Sequence, residues 1–300
     1  MDEMRRKSFI AGLTVVVVAF LLALGATALL RPRRTTPAAP VPNPNGYDDL
    51  ARAGRMLTED VLGFSKMSRE ELRAFVEKND DALKLARLGL SRECGVPTNV
   101  SPTWLNPHAG DLSAIKYLAY TFVAEGRLAE LEGRSGDAVR SYLDAVHLGH
   151  TAFRGGPMMW SLVAWACETI GLDPLQRVIT RLDANGCRQT IGALETLEAN
   201  RGTYAQVIRQ EKAWARKALG WRGRIEMLVE VKELTKTRLD LKKKMDDSAT
   251  RSRVLIIDLA VRAYELEKGE RPKNWSLLVP DYLRSIPHDP VTGTDLAYSF

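Results

Sequence analysis

His147 and His150 are the only histidines close together in this 300-residue chain, and their i, i+3 spacing can bring two imidazoles to the same face of a helix. Two rings so placed hold a metal when a carboxylate joins them. No HExxH accompanies them, and Gly149 stands between them where the helical pattern is ending. They therefore read as polar residues in a final helical turn, where positive charge is favoured. His108 and His288 have no neighbours that would complete a nucleophilic triad. The chain has no Gly-x-Ser-x-Gly, no phosphate-binding loop and no dinucleotide fingerprint. Cys94, Cys167 and Cys187 stand 20 or more residues apart, so no CxxC pair argues for zinc or redox work. Each reads as a small buried side chain, with Cys167 and Cys187 the first pair to test for a disulfide if the domain lies outside the cytoplasm. No catalytic, cofactor or metal residue is assigned. The chain reads as more a binding protein than an enzyme, the alternative being a hydrolase built around His147 and His150. A carboxylate converging on those rings would favour that alternative.

The richest apolar and aromatic cluster outside the N-terminus is Met158-Met159-Trp160 with Trp165, behind Gly155-Gly156-Pro157. Core packing is its ordinary explanation. As a surface it would form a groove beside a helical hairpin carrying Phe122 and Tyr142, able to take an apolar peptide or a partner helix. Phe122, Tyr142, Met158, Met159, Trp160 and Trp165 are thus the candidate partner-binding residues. Charge is also uneven: between Arg201 and Arg253 fifteen Lys and Arg face seven Asp and Glu, although the whole chain carries only +6. Such a face attracts anionic headgroups or nucleic acid, or is simply a solvated helix.

Ser8–Leu30 is an uncharged run of 23 residues between Arg5-Arg6-Lys7 and Arg31, Arg33 and Arg34. As a helix it reaches roughly 34 Å, enough to cross a hydrocarbon core of about 30 Å. Ala26-Thr27-Ala28 has the form of a cleavage site, but the run is longer than a secretory signal core and arginines follow at once, so a retained single-pass signal anchor is expected. Lys and Arg balance across it and leave orientation undecided. The short tail 1–7 and the Pro-rich linker 31–46, an extended spacer, favour an extracytoplasmic domain. The bilayer is then one partner, an unidentified protein another, and nucleic acid is not expected.

From Tyr47 to Lys268 apolar residues recur at three- and four-residue intervals, which predicts a mainly α domain. Helices are expected over Tyr47–Leu62, from Ser68 as N-cap in a capping box with Glu71, and on to a stop at Cys94-Gly95-Val96-Pro97. A loop follows over Pro97–Gly110. Helices are expected next over Leu112–Leu131, Ala138–Leu148, Pro157–Ile170, Pro174–Leu182 capped by Asp173, Arg188–Glu198, a basic pair over Tyr204–Met245 broken at Gly220 and Gly223, and Val254–Leu266. The tail 269–300, rich in Pro, Gly and aromatic residues, reads as a clamp on the last helix, with Trp275 and Tyr282 as core and a β-bridge near Ala297–Phe300.

Phe122, Gly126, Gly133, Ala138, Tyr142 and Ala145 fall at the intervals of one tetratricopeptide repeat, and the segment from Phe122 to His150 resembles such a hairpin, with no second copy. Ala263-Tyr264-Glu265, Leu277-Leu278-Val279-Pro280 and Asp289-Pro290 with Gly293 resemble the C-terminal region of type II secretion pseudopilins, over about 256–300. That resemblance implies a secretion accessory. The N-terminus departs from the pattern, since Lys7-Ser8-Phe9-Ile10 replaces the processing site. As a whole, the anchor, stalk, Tyr47-Asp48-Asp49-Leu50 opening and Ala213-Trp214-Ala215-Arg216 resemble an uncharacterised bacterial family of membrane-anchored helical proteins. The reading that results is a scaffold or protein-interaction component of the cell envelope.

Overall fold

The computed structural model describes residues 41–58, 61–97, 105–218 and 231–299; the Ser8–Leu30 run lies outside them. Within that range the protein is mainly α, without a strand, and no described helix is long and apolar enough to cross a membrane. The helices are α1 (Gly46–Met56), α2 (Arg69–Lys78), α3 (Asp80–Leu90), α4 (Leu105–Leu131), α5 (Ser135–Thr151), α6 (Met158–Val178), α7 (Ala184–Ala199), α8 (Tyr204–Ala218) and α9 (Val231–Lys268).

Local signals explain most boundaries. Asn45 caps α1 by accepting from Tyr47 N, and its amide ties the chain to Gly95 in both directions, donating to Gly95 O at 2.9 Å and accepting from Gly95 N at 3.0 Å. Asn45 is buried, so the end of the expected linker already belongs to the domain. The Ser68 capping box is present: Glu71 N donates to Ser68 Oγ, and Ser68 N donates to the Glu71 carboxylate at 2.7 Å. Ser68→Ala should therefore lower stability by about 1 kcal/mol, read as a shift in urea midpoint at constant slope.

Four expectations are corrected. The helix α1 stops at Met56 rather than Leu62, and a 3₁₀ turn follows at Gly63–Lys66. The expected loop ends earlier than Gly110, because α4 starts at Leu105. Pro107 is compatible with that start, since the N–H it lacks would be unpaired in a first turn anyway. Asp173 is not a cap: α6 runs through Pro174 to Val178. Pro174 sacrifices one backbone bond, and burial of its ring with Leu172 and Leu175 against the core outweighs that loss. Finally, α9 is continuous from Val231 to Lys268, with no end near Met245. Ser248, Ala249 and Ser252 are buried there, so small residues that weaken an apolar stripe in the sequence form a close-packing face.

The central unit is α4, α5 and α6, with α1–α3 packed on one side and α7 and α9 on the other. Gly133, at φ 75°, turns α4 into α5. Close approach is set by glycines. A Cβ on Gly126 would lie 2.3 Å from the Tyr142 ring. One on Gly149 would lie 2.6 Å from Ala164 O, and one on Gly171 2.7 Å from Tyr142 O. The two glycines thus let α5 and α6 meet backbone to backbone at two places.

The tail folds back on α7 and α9. Gly269, at φ 75°, ends α9, and Arg188 of α7 forks on Glu267 in the last turn of α9 and grips the tail by a bond to Asp281 O and stacking over Tyr282 at 4.1 Å. Tyr282 is core as expected, whereas Trp275 is only half-buried. The β-bridge pairs His288 with Asp295, earlier than the expected Ala297–Phe300.

Candidate functional site

Where α5 ends, Gly149 lets α6 come close enough for Glu168 to reach the imidazole of His150. Glu168 Oε1 lies 3.1 Å from His150 Nε2, and Nδ1 lies 3.1 Å from the Leu197 carbonyl in the last turn of α7. Both side chains are almost wholly buried. Both ring nitrogens are thus engaged, one by a backbone carbonyl and the other by a carboxylate.

Arg201, just beyond α7, completes the cluster. It donates through Nη1 to Glu168 Oε2 at 3.1 Å, contacts Glu168 Oε1 through Nη2, and donates through Nη2 to Glu198 at 2.6 Å. Arg253 of α9 reaches the other Glu198 oxygen at 3.2 Å. Burial alone would raise the Glu168 carboxyl, but the bond and charge of His150, followed by those of Arg201, outweigh it and bring it down to about 2. The charge of Arg201 is likewise opposed by burial and upheld by Glu168 and Glu198. The cations gather where the carbonyl end of α7 also favours positive charge.

His150, Glu168 and Glu198 offer ligand atoms all within 4.8 Å of one another. The Arg201 guanidinium bonds both carboxylates and already supplies the positive charge a cation would bring. The expected histidine pair is therefore divided in role. His150 is a buried link between α5, α6 and α7, whereas His147 is half-buried and its protonation is disfavoured by burial, then by His150 and Arg154.

This cluster floors an open cleft of about 440 Å³. Phe153, Val207 and Met245 supply apolar wall, Trp165 adds an aromatic surface with Lys244 Nζ 4.6 Å from its ring centroid, and Gln206 and Gln210 line the α8 side. Arg154 leans over the rim, its Nη2 3.3 Å from Asn200 O. The α8 wall is held by a side cluster of Met158, Val207 and Leu241, and by Met158 N donating to the Glu211 carboxylate at 2.7 Å. That carboxylate sits at the positive end of α6.

The six candidate partner-binding residues do not form one surface. Phe122, Tyr142 and Trp160 are core, Met158 belongs to the side cluster, Met159 is 54% exposed and Trp165 alone lines the cleft. The three cysteines are free and buried, with no disulfide between Cys167 and Cys187. The sequence reading missed Glu168 and Arg201. A signal existed for the first: Glu168 is the only acid between Met158 and Leu172, and a lone carboxylate in an apolar helical run requires a buried partner. Comparison with protein-family models, with curated proteins and with solved structures finds no match to this chain.

Proposed function

We propose that this chain is a single-pass membrane protein, anchored through Ser8–Leu30 with its helical domain outside the cytoplasm, that holds a partner protein by an extended segment lodged in the cleft between α6 and α8. The anchor rests on the uncharged run and its arginine flanks, and the orientation on the short tail and the Pro-rich spacer. One observation carries the binding role: the cleft joins apolar wall, the Trp165 surface and the amides of Gln206 and Gln210 above a floor whose charges are already paired. Such a lining suits a chain segment, whose backbone pairs with the Gln210 amide and the NH2 of Gln206, the Gln206 oxygen already accepting from Thr203 N, while a side chain covers the ring.

Glu168 beside His150 is the arrangement that a hydrolase reading called for, and it keeps that reading as the alternative. The binding reading is preferred because a general base needs a ring nitrogen free to face a substrate, and both nitrogens of His150 are engaged.

In cells, full-length protein should stay with membranes through carbonate washing, while a version starting at Val41 should be released. A photo-crosslinker at Gln206 should give a discrete protein adduct that one at Lys84, exposed on α3, does not. Release of the full-length chain by carbonate would end the anchor proposal, and identical adducts from both positions would end the cleft proposal.

A further inference from the structure

A second cavity, also about 440 Å³, opens on another part of the central unit, between the 3₁₀ turn at Gly63–Lys66, α4 and the end of α6. Three guanidinium groups and one carboxylate line it: Arg127 and Glu130 from α4, Arg177 from α6, and Arg181 from the turn after α6. Among the described residues each arginine makes one hydrogen bond, which leaves most of its N–H groups unspent there. Arg127 Nη1 donates to Phe64 O at 3.0 Å, Arg177 Nη1 to Asp173 O at 3.0 Å, and Arg181 Nη1 to Glu130 Oε2 at 3.2 Å.

Glu130 is committed twice, since the hydroxyl of the buried Tyr142 donates to its other oxygen. The Asp173 carboxylate pairs with Arg251 instead of the cavity. Among the described residues that line it, three positive charges against one negative leave a formal excess of +2 around a concave space. Val123 and Pro174 give it an apolar side.

We infer that this cavity is a binding site for a phosphomonoester: three guanidinium groups grip the phosphoryl oxygens, and Val123 and Pro174 cover the organic body. The charge matches, because a phosphomonoester carries about −1.5 to −2 at pH 7. The geometry matches as well, because guanidinium forks suit phosphoryl oxygens and three of them can approach from different sides. The volume far exceeds a phosphate ion, so an attached apolar group is part of the recognised chemistry. A soluble ester and the headgroup of a phosphatidic acid share that chemistry, and the proposed anchor makes the second source available. This site is independent of the α6–α8 cleft and stands whether or not the cleft proposal does.

The test is calorimetric titration of detergent-solubilised full-length protein with phenyl phosphate, inorganic phosphate, dihexanoyl phosphatidic acid and dihexanoyl phosphatidylcholine. The comparison is R177A/R181A, both positions being exposed, with an unchanged thermal midpoint as the folding control. Binding of phenyl phosphate at least tenfold tighter than inorganic phosphate, weakened tenfold or more in the double variant, supports a soluble ester. Tighter binding of the phosphatidic acid than of phenyl phosphate, weakened likewise and absent for the phosphatidylcholine, supports a lipid headgroup. Two results overturn the site: no binding of either phosphomonoester, or equal binding by the double variant.

Discussion

Glu168→Ala should destabilise the domain by about 3–5 kcal/mol, because it leaves the buried His150 and Arg201 facing each other without the anion that holds them. The measurement is chemical unfolding of the full-length protein in detergent. Removing the whole network should be milder. Where H150L, E168L and R201M are combined, most of the loss should return, since well-packed apolar replacements of buried ion pairs are often neutral. A triple variant as unstable as E168A would mean that the network is more than a charge balance.

The pH dependence has a definite sign. The Glu168 carboxyl ionises at about 2 in the fold, well below its ordinary value. Its contribution is therefore complete above the ordinary carboxylate range, shrinks as pH falls toward 2, and is gone below that. Glu168→Gln should flatten this part of the acid limb. Glu132 and Glu267 also ionise at about 2 on the surface, so the wild-type curve minus the E168Q curve, not the raw curve, isolates the buried group.

The second large effect concerns the α5–α6 contact. Gly149→Ala and Gly171→Ala should each cost roughly 2 kcal/mol, because the added methyl meets backbone that cannot rotate away. Valine should cost more. Gly192→Ala is the control: it lies in α7 with nothing within 4 Å of an added Cβ, so it should gain about 0.5–1 kcal/mol from reduced backbone freedom in the unfolded chain. If all three alanine variants were equally stable, close approach at Gly149 and Gly171 would not govern the fold.

The elements most legible in the sequence were those written in local chemistry. Ser68 with Glu71 satisfies backbone within a few residues where the capping rule placed it, and Gly133 bends the chain between α4 and α5 where the repeat-like spacing put a turn, whereas Asp183 caps α7 four residues ahead of the expected start at Arg188. Elements settled by distant contacts were not legible. Asp173-Pro174 has the local form of a helix start, yet α6 passes through it because the far side is packed on α5. The weak apolar stripe near residue 250 hid a continuous α9, since the residues buried there, Ser248, Ala249 and Ser252, are small and two of them are polar.

The candidate site was half legible for the same reason. His150 stood out by its type. Glu168 lies 18 positions further along and is brought to it by the glycine contact of α5 with α6, and Arg201, 51 positions along, reaches Glu168 from the end of α7. The aromatic cluster at Met158–Trp165 pointed to the correct neighbourhood, but helical rotation sends Trp160 inward and leaves Trp165 alone at the cleft.

The α8 wall rests on Met158, Val207 and Leu241, each contributing about 1.5–3 kcal/mol by burial, whereas the opposite wall is fused to the main core through its glycines. The groove therefore has one cheek built into the main core and one held by a small satellite cluster. A bulky guest should meet the weaker resistance on the α8 side, where this small cluster and the Met158–Glu211 bond are what hold the helix.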